Sequence, residues 1–178
     1  TALSLAQEGH LDLDDPISLW LGNEPWFTRL PNHESVTVRQ LLSHSGGIPN
    51  HVEDDAFAAA LAEDWSKPGT PFPPEKLIGF VLDQPALFAP GEGWAYTDTG
   101  YLLIGLIIEE VAERSYYAEV RDRFLEPLNL DLTSPSDRHD LPGLAAGYMD
   151  ADNALGLPAK TTKAVGRMAW NPAIEWTG

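Results

Sequence analysis

The sequence predicts a mainly α-helical fold. Three observations carry this. Helix-start and helix-stop signals bracket about six segments of the chain, one of them is apolar almost all round, and only one short stretch reads as strand. The 178 residues are 43% apolar and 21% charged, a globular composition with enough chain to bury a core.

Thr1 to Glu8 reads as the end of a helix, with Leu3, Leu5 and Ala6 apolar and Gly9 placed for a left-handed cap. Its N-terminal signal is missing and no Met opens the chain, so further sequence upstream is expected. Asp15 is expected to cap a short helix with Pro16 at its first position, running to about Leu21. Residues 22 to 34, with Gly22, Asn23, Pro25, Pro31 and Asn32, read as loop. Thr37 is positioned to cap a helix through Val38, Leu41 and Leu42, stopped at Gly46-Gly47 with Pro49 beyond.

Asp54 to Asp64 is Ala-rich and helical, and the proline-rich residues 66 to 74 form a loop. Pro74-Glu75 opens a helix to about Asp83. The turn-rich segment Phe88 to Thr97 leads into the strongest helix, Thr99 to Arg114. Its apolar residues nearly encircle it, which predicts burial in a larger body. Tyr116 to Leu125 is the next helix, stopped by Pro127, and Ala145 to Met149 reads as a short strand. The irregular tail from Asp150 to Gly178 is long for a complete compact domain.

Eleven Lys+Arg against 27 Asp+Glu give a net charge of −16. Such a chain repels phosphate backbones and anionic lipid, which argues against nucleic-acid or polybasic membrane partners. With no Cys, disulfides, thiolate metal sites and a Cys nucleophile are excluded. No basic n-region precedes an apolar stretch, and Gly100 to Ile108 is too short to span a bilayer.

The five His form no metal-binding pair of the H-E-x-x-H kind, so no metal is expected. Gly91-Glu92-Gly93 is too short for a dinucleotide fingerprint, and no G-x-S-x-G elbow is present. Ser43 and His44 are adjacent, and adjacent residues rarely face each other as a catalytic dyad requires. The segment from Pro90 to Tyr101 stands out. Tyr96 lies just before the buried helix, where the positive end of the helix dipole favours a phenolate. Such a Tyr can act as a general base or proton shuttle if a cation is near. The plainer reading is a Tyr packed in a turn, its hydroxyl bonded to backbone. Asp98 is equally explained by helix capping at Thr97, Asp98 or Thr99.

Several segments, in order, resemble the serine β-lactamase and penicillin-binding-protein hydrolases, especially class C β-lactamases, D-alanyl-D-alanine carboxypeptidases and related esterases. Glu8-Gly9-His10-Leu11-Asp12-Leu13-Asp14-Asp15-Pro16 looks like the end of the nucleophile-bearing helix and its following turn. Val36 to Pro49 is similar to the family's Leu-Leu-x-His-x-Ser-Gly segment, and Tyr96-Thr97-Asp98 to its Tyr-x-Asn motif. Phe124-Leu125-Glu126-Pro127-Leu128 matches a further familiar stretch. The resemblance implies a helical subdomain of the β-lactamase/transpeptidase-like α+β fold, with residues 1–178 incomplete at both ends and most of the sheet domain absent. It gives Tyr96 a catalytic role in proton transfer with a nucleophilic Ser and its Lys, and Asp98 a substrate-binding role. Asp98 departs from the family's Asn, because a carboxylate accepts hydrogen bonds but cannot donate them; a Lys could hold it instead.

No Ser in the chain is followed by Lys three residues on. By the family's spacing that motif falls a few residues before Thr1. The third motif, Lys-Thr-Gly or His-x-Gly, is also missing, since Lys160-Thr161-Thr162 lacks Gly and Trp176-Thr177-Gly178 lacks the base. The resemblance thus implies part of a serine hydrolase acting through an acyl-enzyme on β-lactam, D-Ala-D-Ala peptide or ester substrates, with no cofactor. These residues alone would be inactive. It favours a periplasmic or extracellular location. A fragment of this kind would self-associate through exposed apolar surface. The competing expectation is a non-catalytic binding module that keeps the helical scaffold.

Overall fold

The computed structural model describes residues 1–64, 71–148, 150, 152, 159–160, 162–164 and 166–168. Its helices are α1 (Ala2–Gln7), α2 (Ser18–Leu21), α3 (Val38–Leu42), α4 (Asp55–Asp64), α5 (Pro74–Ile78), α6 (Asp98–Ala112) and α7 (Tyr116–Val120). Two short strands, β1 (Thr162–Ala164) and β2 (Arg167–Met168), pair antiparallel.

Helix α6 is the axis. Leu102, Leu103, Ile104, Ile107 and Ile108 are all buried, as the near-continuous apolar pattern requires. Helices α2, α3, α5 and α7 all pack on it. Each fully buried Leu or Ile of this core contributes about 1.5–3 kcal/mol through area removed from water.

The local signals explain most boundaries. Gly9 ends α1 at a φ of +79°. Thr37 caps α3 in a reciprocal capping box: Gln40 N donates to Thr37 Oγ1 at 3.3 Å, and Thr37 N donates to Gln40 Oε1 at 3.0 Å. Ser115 Oγ accepts from Ala118 N at the start of α7. A π-helical turn, Arg121–Leu125, then carries the chain on toward Pro127.

Four expectations change. Asp15 and Pro16 do not open α2. Residues 13–17 form a turn held beside 36–39, with Pro16 bridged to Thr37 and Ile17 N donating to Val36 O at 3.1 Å, so the helix starts at Ser18. The expected loop 22–34 contains a 3₁₀ turn, Phe27–Arg29, that buries Phe27. The helix from Pro74 tightens to 3₁₀ geometry at Gly79–Val81 and stops before Asp83. Residues 145–148 form no strand: only Tyr148 makes a bridge, to Lys160, and Met149 lies outside the described residues. The expected loop at 66–70 and the segment 176–178 also lie outside them.

A second cluster is ionic. Glu119, itself buried, takes the guanidiniums of Arg114 and Arg123, and Arg123 also reaches Glu8. Burial pushes the Glu119 carboxyl up, but the two guanidiniums more than offset this and leave it below its ordinary value. The network ties the C-terminal end of α1 to α7.

Leu103→Ala removes a side chain with no exposed surface from the α6 seam. It is expected to cost about 3 kcal/mol in urea unfolding. Leu19→Ala, at a position 62% exposed, is expected to cost less than about 0.5 kcal/mol.

Candidate active site

The site is built where two loops meet in front of α6. One loop, residues 43–50, leaves α3; the other, residues 87–97, enters α6. Backbone bonds lace them together: Leu87 N to Gly47 O at 2.9 Å, Gly91 N to Ser45 O at 2.8 Å and Ala95 N to His44 O at 3.0 Å. From behind, Asn32 Nδ2 donates to Gly46 O at 2.8 Å and to Phe88 O at 2.9 Å, joining both loops with one side chain. Gly47 is required by this closeness. Its φ is +69°, and a Cβ there would sit 2.0 Å from the Phe88 carbonyl oxygen.

The N-terminus of α6 is satisfied by the first loop. Thr97 N donates to His44 Nδ1 at 3.3 Å and Asp98 N to Asn50 Oδ1 at 3.2 Å. Thr97 Oγ1 donates to Pro49 O at 3.1 Å, so the expected side-chain cap is replaced by a tertiary anchor. Thr99 Oγ1 accepts from His51 N at 3.0 Å and also pairs with His51 Nδ1.

Tyr96 and Asp98 come together. The Tyr96 hydroxyl donates to Asp98 Oδ1 at 2.8 Å, and Asn50 Nδ2 lies 3.4 Å from Oδ2. Tyr96 is 54% exposed, so its hydroxyl is bonded at the surface and not to buried backbone. Its acidity runs opposite to the helix-dipole expectation. The hydrogen bond to the Asp98 carboxylate, and then the carboxylate's charge, raise the phenol above its ordinary value. Tyr96 therefore holds its proton at neutral pH and aims it at a carboxylate.

His44 is the aromatic hub. Its ring stacks on Tyr101 at 5.1 Å, tilts against Tyr96 at 4.6 Å and meets Trp94 edge-on at 6.1 Å. The bond from Thr97 N requires Nδ1 to be its unprotonated nitrogen. Tyr101 donates its hydroxyl to Leu42 O at 3.2 Å. Ser43 does not face His44, since its hydroxyl bonds Arg39 O and Ser45 Oγ. Among the described residues, no three His, Asp or Glu side chains are placed to hold a metal.

The beta-lactamase family profile matches residues 1–169. The chain belongs to the beta-lactamase family. Among curated proteins it is 26% identical to "Penicillin-binding protein 4*" of Bacillus subtilis, over 78% of this chain and 28% of that protein. It is 31% identical to "Protein flp" of Staphylococcus aureus, over 74% of this chain and 24% of that one. Among solved structures it is similar to a D-stereospecific amidohydrolase from Streptomyces sp., with TM-score 0.77 and 32% identity over 99% of this chain and 51% of that one. A D-amino acid amidase from Ochrobactrum anthropi, solved with L-phenylalanine amide, matches with TM-score 0.67 and 26% identity, over 98% of this chain and 44% of that one. The chain thus spans about a quarter of the curated relatives and about half of the solved amidases. It corresponds to the helical part of the β-lactamase/transpeptidase fold. The family is one of hydrolases of the β-lactamase and penicillin-binding type.

The sequence singled out Tyr96 and Asp98, and His44 falls in the Val36–Pro49 segment it also marked. Asn32 and Asn50 act from other loops, with no functional signal beyond the left-handed tolerance of Asn at φ of +59° for Asn32.

Gly47→Ala is expected to destabilise the chain by more than about 2 kcal/mol, read from its urea midpoint, because left-handed strain and a backbone clash add. His51 has no exposed surface, and burial lowers its imidazole from 6.5 to about 4, with Asp98 acting in the opposite direction. Its contribution to stability is complete above about pH 6.5 and is lost as pH falls toward 4. The total is about 3 kcal/mol. Urea unfolding at pH 7.5 and 4.5 is expected to show this slope, and His51→Gln to lack it.

Proposed function

We propose that this chain supplies the tyrosine-bearing wall of a serine acyl hydrolase that cleaves amide, ester or β-lactam bonds through an acyl-enzyme. Tyr96 carries the proton: its hydroxyl is exposed beside Asp98 and stands in the register of the family's Tyr-x-Asn motif. That pairing is the observation on which the reading rests. A phenol whose proton is held by a carboxylate keeps its oxygen lone pair free to accept from a nucleophile's hydroxyl or an amine. It can then pass a proton to the leaving group. The names of the solved relatives, an amidohydrolase and an amino acid amidase, favour amides among the three substrate types.

No serine of the 178 residues has lysine three positions on. Turnover by these residues alone is therefore not expected, and the alternative reading is a binding module that keeps the scaffold. Exposed Leu128 and Leu132, the latter 97% exposed, support self-association, and a similar penicillin-binding protein homologue from Pyrococcus abyssi is octameric.

The test uses the protein as its whole reading frame encodes it. Penicillin or a fluorophosphonate is expected to leave a covalent acyl or phosphonyl adduct seen by intact mass. Tyr96→Phe is expected to lower kcat on p-nitrophenyl esters and amino-acid anilides by about 100-fold or more, with an unchanged circular dichroism spectrum. Neither adduct nor turnover would decide for the binding module. Full activity in Tyr96→Phe would remove Tyr96 from the mechanism.

A further inference from the structure

Resting on the hydrolase reading, we propose that His44 is the positioning residue for Tyr96: it clamps the chain on either side of the tyrosine and fixes where the phenol points. His44 O accepts from Ala95 N at 3.0 Å, and His44 Nδ1 accepts from Thr97 N at 3.3 Å. Ala95 and Thr97 are the chain neighbours of Tyr96. The ring of Tyr96 itself lies against the imidazole, with centroids 4.6 Å apart. A single residue of the other loop thus holds the tyrosine from before, from behind and across its ring.

The backbone of His44 explains why a side chain is needed at this place. Helix α3 ends at Leu42, Ser43 caps it, and His44 follows with a φ of +56°. Glycine is the usual residue just past a helix end of this kind, because the left-handed conformation costs it no steric strain. A histidine there is strained, and such strain persists where surrounding contacts hold the residue in place. Here those contacts are the ones made to the Tyr96 segment. They also fix the tautomer. Nδ1 must be bare to accept from Thr97 N, so the neutral imidazole carries its proton on Nε2.

The imidazole is steadied in turn by α6. Tyr101 stacks on it, with centroids 5.1 Å apart and ring planes 21° apart, and the Tyr101 hydroxyl is tied to Leu42 O at 3.2 Å. His44 therefore links the core helix to a tyrosine that burial does not hold, since Tyr96 is 54% exposed. The direction of the phenol rests on backbone gripped from either side. That direction matters, because a proton carrier must stand within hydrogen-bond reach of the groups it serves. A misplacement of about 1 Å costs on the order of 100-fold in rate. In this reading His44 touches no reacting atom and acts only through Tyr96.

The experiment uses the full encoded protein and compares His44→Asn with His44→Gly on p-nitrophenyl esters. Both replacements accept the left-handed backbone, and both remove the ring. They differ in the acceptor. Asn carries Oδ1 the same number of bonds from Cβ as Nδ1 in His, so it can take the Thr97 N–H, and Gly cannot. His44→Gly is expected to lower kcat by about tenfold or more while KM changes less than about twofold. His44→Asn is expected to recover most of that loss. In a Tyr96→Phe background the two variants are expected to share one kcat, because the positioned hydroxyl is gone. Nitrogen NMR of the wild type in alkaline buffer is expected to show the His44 proton on Nε2, a readout that stands even where a variant fails to fold. Equal kcat in His44→Asn and His44→Gly would overturn the proposal and leave the hydrolase reading standing. So would an undiminished difference between them in the Tyr96→Phe background, or a proton found on Nδ1. A wild type that turns over no ester and takes no acyl adduct would overturn both.

Discussion

The structure depends on how the N-terminus of α6 is held. A buried helix start leaves backbone N–H groups that need partners. Here the usual local cap is absent, and the partners come from a loop almost fifty residues earlier in the chain. His44 and Asn50 take the N–H groups of Thr97 and Asp98, Pro49 takes the Thr97 hydroxyl, and His51 binds Thr99. Each of these bonds fixes the 43–50 loop to the core helix. Because α6 is also the axis on which α2, α3, α5 and α7 pack, the same contacts set the fold and the position of the site. Tyr96 and Asp98 flank the anchored residue Thr97, so they inherit its rigidity.

That arrangement explains why the two loops tolerate so little. Gly47 has a carbonyl pressed against the space a side chain would need, and Asn32 fills the gap behind. Removing either would let the loops separate and move His44 away from Thr97. The aromatic stack around His44 depends on the same spacing. Packing, backbone pairing and the orientation of Tyr96 are therefore one constraint and not three.

What the sequence reveals and hides follows from this. Helix ends governed by neighbouring residues were legible: Gly9, Thr37 and the apolar run of α6 all act within a turn of their own position. Pro16 misled because a long-range bridge to Thr37 outweighed a local helix-start signal. Phe27 sits in a turn that tertiary burial of its ring holds in place, which loop composition does not reveal. Tyr96 and Asp98 are legible as candidates because they share a short motif. Asn32, Asn50 and His51 are not, because each works across a separation of many residues with no local pattern. The acidity of Tyr96 was misread for a related reason. The helix dipole is a backbone property visible from sequence, but the side-chain hydrogen bond to the Asp98 carboxylate that raises the phenol is seen only in the folded chain.

The two carboxylate-rich features of the chain then separate by role. Glu119 is buried and fully matched by two guanidiniums, so its charge is spent on holding α1 to α7. Asp98 has a phenol and an amide for partners and, among the described residues, no ion pair. A charged group with neutral partners has a greater capacity to respond to an incoming cation than one already in an ion pair, because no existing bridge must be broken first. The chain's charge of −16 works in the same direction, since an acidic surface raises the local concentration of cationic ligands. A mutation that put a cation beside Asp98 would preserve the fold's anchor at Thr97 and remove this responsiveness. The anchor and the carboxylate's charge are therefore separable, though they lie one residue apart.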